Sequence, residues 1–475
     1  MYKAVIGLEV HCELNTNSKN FSSAPNAYSS FPNENVQTVD LGLPGILPVV
    51  NKEAVRKALK VALALNCEIP KYLRFARKNY FYPDLPKGYQ ITQHQNQDPI
   101  GKNGYIMINV NGTDKKILIH DTHLEEDTAS LDHFGDFSLI DYNRCGIPLL
   151  ETVTEPCLNS SEEAITFLES LRNLFLYCDV SEARSDRGQI RCDVNVSLMK
   201  ENDTELGTKV EMKNINSFNN VKLAIECEIK RQTELLDRGE SIIQETRRFS
   251  EEDNKTYSMR QKVDAIDYKY FTEPNLPPIP LTKDFIEETK KQIPELSYSR
   301  VVRYINDYKL TRRDANILVK DLKTANYYEE AIKVGGDPKS IANWIVTNIN
   351  TYLNEENITI DKISITPKQL VLLLDQISSG KISSKQAKDV LIKSLSEKKD
   401  PLEIIEELGL SQITDSKELE PIIKEVLEEY SNLISDYKNG KKVFGFFVGQ
   451  IMKKTNGRAN PVLANKLLQE ELDKR

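Results

Sequence analysis

The chain has 475 residues, of which 39% are hydrophobic and 28% charged, with 63 basic and 71 acidic residues giving a net charge of −8. That composition excludes a disordered chain, a collagen and a coiled coil, and no run approaches the ~18 consecutive apolar residues of a membrane helix. No chain-wide basic footprint exists, so any contact with nucleic acid has to be a local patch.

In chain order, the opening MYKAVIGLEVHCEL alternates like a strand over 3–14. It has neither the basic, apolar-cored start of a secretory signal nor an amphipathic leader, so a cytoplasmic location is expected. Residues 52–66 read as a helix from the spacing of Val55, Leu59, Ala62 and Leu65. Asn111-Gly112 joins two alternating runs into a hairpin over 104–120. Ser160-x-x-Glu163 is a capping-box pattern ahead of an amphipathic helix. Strict alternation returns at 189–199 and 207–213, and a long helix from Phe218 is expected to end at the Gly239 cap. The proline-rich 273–281 reads as a boundary or an extended crossing. Beyond it the pattern is helical, with candidate joints at 377–384 and 393–401. The expected fold class is therefore α+β and multidomain, and about three domains suit the length.

All five histidines and all seven cysteines lie in the first half, the last being Cys227. The cysteines are scattered without a C-x-x-C pair, which argues against disulfides and against structural zinc. On the first strand Glu9, His11 and Glu13 share one face. Two carboxylates and an imidazole there are costly to desolvate without a cation. They form either a divalent-metal or phosphate-transfer site, or a solvated edge-strand face. The theme recurs in His123, Glu125, Glu126 and Asp127, in Glu151 and Glu155, in Asp193, Asn195 and Ser197, and in Lys209, Glu211 and Lys213. Hard oxygen ligands of this kind suit Mg²⁺, although any one cluster could be a salt-bridged surface. RKNYFYPD at 77–84 sets Arg77 and Lys78 beside three aromatics, either to hold a phosphate or base or as a core strand with basic flanks. The polar stretch 92–98 receives no role.

There is no P-loop, dinucleotide fingerprint or nucleophile elbow. ATP, if used, must be held by carboxylates, metal and separate cations. The C-terminal end is locally basic, with nine Lys/Arg against three acids from 438 to 475, which suits a small helical module on a phosphate backbone or else a solvated helix face.

VIGLEVHCEL, DLGLPGILPVVN, RKNYFYPDLPKGYQI, HLEEDTAS, PLLETVTEP, RCDVNVSL, EMKNINSF and QETRRF, in that order, closely resemble the B-subunit family of the aspartyl/glutamyl-tRNA amidotransferases. FGFFVGQIMKKTNGRANP resembles the YqeY-like tail of that family. The resemblance implies a β-rich catalytic cradle (1–293), a helical domain (294–400) and an all-α tRNA-binding tail (401–475). It also implies ATP-dependent activation of Glu-tRNA(Gln) or Asp-tRNA(Asn), followed by amidation. The ammonia comes from an amidase-type glutaminase subunit, and a small third subunit completes a heterotrimer. ATP and Mg²⁺ are the implied cofactors.

Carried onto this chain, the resemblance makes Glu9, His11, Glu126, Glu151 and Asp193 metal ligands, with Glu211 less firmly placed and Glu125 able to replace Glu126. Glu126, Lys78 and His11 would be catalytic. Lys78, Arg191, Lys209 and Lys213 would meet the nucleotide. Lys441, Lys442, Lys453, Lys454 and Arg458 would meet tRNA. Some relatives carry zinc-type cysteine pairs in the cradle; this chain has none, so no structural zinc is expected. Two other readings are a non-catalytic tRNA scaffold and a free-standing ligase for a small amino acid. The basic tail argues against the second.

Overall fold

The computed structural model describes residues 2–474 except 30, 94–97, 201–202, 216, 262–266, 411–415, 439–442 and 456, and leaves the side chains of 214, 260 and 261 undescribed. The chain forms two compact units, Met1–Ser299 and Arg300–Arg475.

The first unit is built on an eight-stranded sheet. Its strands are β1 (Tyr2–Glu13), β2 (Gly101–Val110), β3 (Thr113–Glu126), β4 (Pro148–Thr154), β5 (Ile190–Lys200), β6 (Val210–Ile215), β7 (Glu245–Ser250) and β8 (Lys255–Gln261). Their spatial order is β8-β7-β6-β5-β1-β4-β3-β2, so the first strand of the chain lies inside the sheet. All pairs are antiparallel except β6 and β7, which are parallel and joined through a helix. The hairpin between β2 and β3 turns at Asn111 and Gly112, both at positive φ, as the Asn-Gly pair requires.

Period-2 alternation divides the sheet into two chemically different faces. Ile6, Leu8, Val10 and Cys12 of β1 point into one core with Val194 and Val196 of β5 and Leu124 and Leu150 of β3 and β4. Helices α1 (Lys52–Ala64), α2 (Ser161–Tyr177) and α3 (Phe218–Asp237) contribute Leu59, Leu168, Phe175 and Ile225 to that core. Burying each large aliphatic chain contributes about 1.5–3 kcal/mol. That anchorage fixes the register, and the opposite face follows from it.

The helix ends match their sequence signals with one difference. Asn51 caps α1, Ser217 caps α3, and Gly239 follows α3 at φ +77°. Ser160 caps α2 by accepting from the Glu163 N–H, but the Glu163 carboxylate does not close the box. It accepts instead from the Asn159 N–H (2.7 Å), one residue upstream, and from Lys115 Nζ (2.6 Å), whose charge strengthens the bond. The proline-rich crossing pairs back onto the same unit: Ile279 and Pro280 lie beside Leu73 and Tyr72.

The second unit is helical throughout its described residues, from α4 (Ser297–Tyr308) onward. It has two hydrophobic cores, one running from Val301 to Ile405 and one from Leu419 to Leu472. No helix among the described residues is long and apolar enough to cross a membrane.

Candidate active site

The polar face of the sheet gathers acids and imidazoles into rows. Cross-strand register places Arg191, His11, Glu151 and His123 side by side over β5, β1, β4 and β3. The neighbouring row sets Asp193 opposite Glu9, and Asn195 faces Glu211 one step further. Two groups result, His11–Glu125–Glu151 and Glu9–Asp193–Glu211, each with its ligand atoms within 4.8 Å of one another. Glu9 and His11 are alternate residues of β1, so the two groups are adjacent.

In the first group Glu151 lies between two imidazoles. His11 Nε2 is 3.3 Å and His123 Nε2 3.1 Å from its Oε2, and Asp121 holds His123 Nδ1 at 2.7 Å. Burial opposes ionisation of Glu151, but the two histidines hold it well below the usual carboxylate range. Burial and Glu151 together push Glu125 up. Burial would lower His11, yet Glu151, Glu125 and Asp193 carry it up to about 9. In the second group burial, Glu151 and Asp193 raise Glu9, which accepts from Asn195 Nδ2 at 3.0 Å. Thr246 donates to Glu211 at 2.9 Å.

Because His11 is raised, it stabilises the metal-free fold fully below its ordinary pKa of 6.5 and loses that contribution as pH rises through about 9. Thermal unfolding of metal-free protein should therefore show stability falling over this window, by up to about 3 kcal/mol. The decline should flatten in His11→Asn. Parallel curves for the two proteins would contradict it.

The cations are distributed unequally. Lys213 bridges Asp193 (2.8 Å) and Glu211 (3.3 Å), and Arg191 donates to Asp127 at 2.7 Å. Lys209 is exposed ahead of β6. Lys78, on the short strand Ala76–Asn79, closes on neither carboxylate of the first group. Its Nζ lies 5.0 Å from the Tyr268 ring centroid and feels the fields of Glu125 and Glu151. Arg77 is committed to Glu273.

Glu126 is the expected ligand that the structure does not bring to either group. Consecutive strand residues point to opposite faces. Glu125 therefore joins His123 over the site, while Glu126 turns to Lys87 Nζ (2.6 Å) and the Ile91 N–H (2.9 Å). Glu125, and not Glu126, lies in the first group with His11 and Glu151. Glu9, His11, Glu151, Asp193 and Glu211 come together. His123, grouped with Glu125 in the sequence, reaches the site, and sequence reasoning missed Asp121 behind it; parity along Asp121-x-His123-x-Glu125 is the signal that could have found it. Glu155 lies just beyond β4 and pairs with His120 at 2.8 Å.

In the tail, Lys441 and Lys442 lie outside the described residues. Lys453 and Arg458 are exposed, while Lys454 is paired with Glu425 (2.7 Å) and Glu429 (2.8 Å).

A β-sheet face with two adjacent acid-rich groups and a lysine beside them has the side chains to hold a divalent cation. Residues 4–287 match the GatB/GatE catalytic domain and residues 326–472 match the GatB domain. Similar chains include the aspartyl/glutamyl-tRNA(Asn/Gln) amidotransferase B-subunit of Persephonella marina, 48% identical over 473 residues and 99% of each chain. The same-named proteins of Oceanobacillus iheyensis (48% over 476 residues) and Geobacillus kaustophilus (47% over 476 residues) are matched over the full length of both chains. The chain belongs to the B-subunit family of the aspartyl/glutamyl-tRNA(Asn/Gln) amidotransferases.

Proposed function

We propose that this chain activates the side-chain carboxylate of glutamate or aspartate carried by a mischarged tRNA, using ATP, and then converts it to the amide. The convergence of five distant carboxylates and His11 on one sheet face, with Lys78 beside them, is the observation that carries this reading. In the first step a carboxylate oxygen attacks the γ-phosphorus and ADP leaves. In the second, ammonia attacks the acyl carbon, the bond from that carbon to the phosphate oxygen breaks, and the proton shed by nitrogen leaves on inorganic phosphate.

His11, Glu125 and Glu151, and Glu9, Asp193 and Glu211, fit one Mg²⁺ each, since hard oxygen donors with at most one imidazole are what that cation accepts beside water and phosphate. Bound there, Mg²⁺ would offset the charge on the phosphoryl oxygens. The chain itself supplies the rest. Lys78 orients the carboxylate or the leaving phosphate, and His123 and Asp121 hold Glu151 in place. The apolar face behind the sheet keeps the ligands from drifting.

Ammonia would come from a partner glutaminase subunit, with a small third subunit completing the assembly in the cytoplasm. No zinc is assigned a role. Reconstitution with both partner subunits, assayed with Glu-tRNA(Gln) and Asp-tRNA(Asn) under ATP and glutamine, tests the reading. Amide should form on at least one of them with equimolar ADP, and its absence on both would overturn the proposal.

The exposed tail cations are assigned to the tRNA backbone. Lys453→Glu should weaken tRNA binding across sequences and lower the salt slope of log K by about 1. An unchanged slope in a salt titration would remove the tail from the interface.

A further inference from the structure

Phe81 is 95% exposed, more than any other large apolar side chain described. Its backbone is nonetheless tied on both sides. Asn79 N–H donates to Tyr268 O (3.0 Å), Tyr80 N–H to Gly88 O (3.3 Å) and Leu85 N–H to Tyr82 O (3.0 Å), and Ala129 N–H donates to Asp84 O at 2.9 Å. The exposed ring is therefore presented by a held loop. Tyr82 and Tyr270 add two more exposed rings, at 48% and 39%, while Phe271 lies over the Arg77 guanidinium at 5.6 Å on the other face of its strand. Behind them Tyr268 packs edge-on against Tyr80 and Tyr270, at 6.2 Å in each case, with Lys78 Nζ over its face.

This patch is continuous with the candidate active site. Tyr80 feels the charges of Asp84, Glu125, Glu126 and Asp127, and Lys78 feels those of Glu125 and Glu151. Open aromatic faces interleaved with a cation are how proteins hold unpaired nucleotides without reading their sequence, because every base has a π-face. Several rings in two neighbouring segments suit consecutive bases of a strand, where the adenine of ATP would need a single slot. Resting on the function proposed above, we propose that Phe81 and its aromatic neighbours form a stacking platform for the unpaired 3′ end of the charged tRNA. The platform would deliver the terminal aminoacyl group to the acid-lined face.

The test uses the assembled complex with Phe81→Ala and Phe81→Trp. Phe81 makes no core contact, so both variants should fold. Phe81→Ala should raise KM for the charged tRNA roughly ten- to hundredfold with KM for ATP unchanged, and Phe81→Trp should restore it. Removing the 3′-terminal adenosine from deacylated tRNA should weaken binding to the wild type and leave Phe81→Ala no weaker than before. An unchanged tRNA KM, a shift confined to ATP, or loss of subunit association on gel filtration of Phe81→Ala would each overturn the platform. Failure of the wild-type complex to amidate any tRNA would sink the underlying function instead, so the two outcomes are distinguishable.

Discussion

Glu125→Gln and Glu151→Gln should each lower ATP-dependent amide transfer by about a hundred- to a thousandfold, while charged tRNA binds as before. Each substitution removes one charged oxygen from a group whose atoms lie within 4.8 Å of one another. A preorganised charge in a desolvated site is worth far more than the same charge in water. Glu151→Gln carries a second loss, since His11 and His123 both lean on that carboxylate. The measurement is single-turnover ADP release and amide formation beside filter binding of the tRNA. Full turnover in both variants would favour a scaffold role, with catalysis in another subunit.

The second large effect is on stability. Lys87 and Glu126 form a pair in which both side chains are almost fully buried. Truncating one partner leaves a charge without a counterion, at a cost of about 3–5 kcal/mol. Lys87→Met is thus expected to lower the urea midpoint of the first unfolding transition sharply. The double variant Lys87→Met/Glu126→Leu should recover much of the loss, because the buried charge disappears with its partner. A Lys87→Met protein as stable as the wild type would show that the pair contributes little. Together with the Glu125 result, this separates two adjacent glutamates by function: one faces the chemistry and the other holds the fold.

Much of this was legible in the chain. Alternation on the first strand put Glu9 and His11 on one face, and the same rule gave Asp193 and Glu211 their orientation. The Asn111-Gly112 turn and the caps at Ser160 and Gly239 were also readable, because they depend on a few neighbouring residues. The choice between Glu125 and Glu126 needed parity to be carried from His123, a step the cluster HLEED obscured. The partners of Arg191 and Lys213 could not be read at all. Asp127 lies 64 residues from Arg191 and Asp193 20 residues from Lys213, and only cross-strand register brings them together. Likewise RKNYFYPD admitted both a core strand and a ligand-holding run; in the structure its first three residues are half-buried in a short strand and Phe81 stands exposed.

The position of β1 has a consequence for biosynthesis. It is made first yet lies between β5 and β4, so both of its hydrogen-bonding edges stay open until Pro148–Thr154 and Ile190–Lys200 have been translated. At ribosomal speeds of about 5–20 residues per second, that is on the order of ten seconds or more with an apolar, template-ready edge exposed. Nascent chains truncated before residue 148 should therefore be held by chaperones or aggregate.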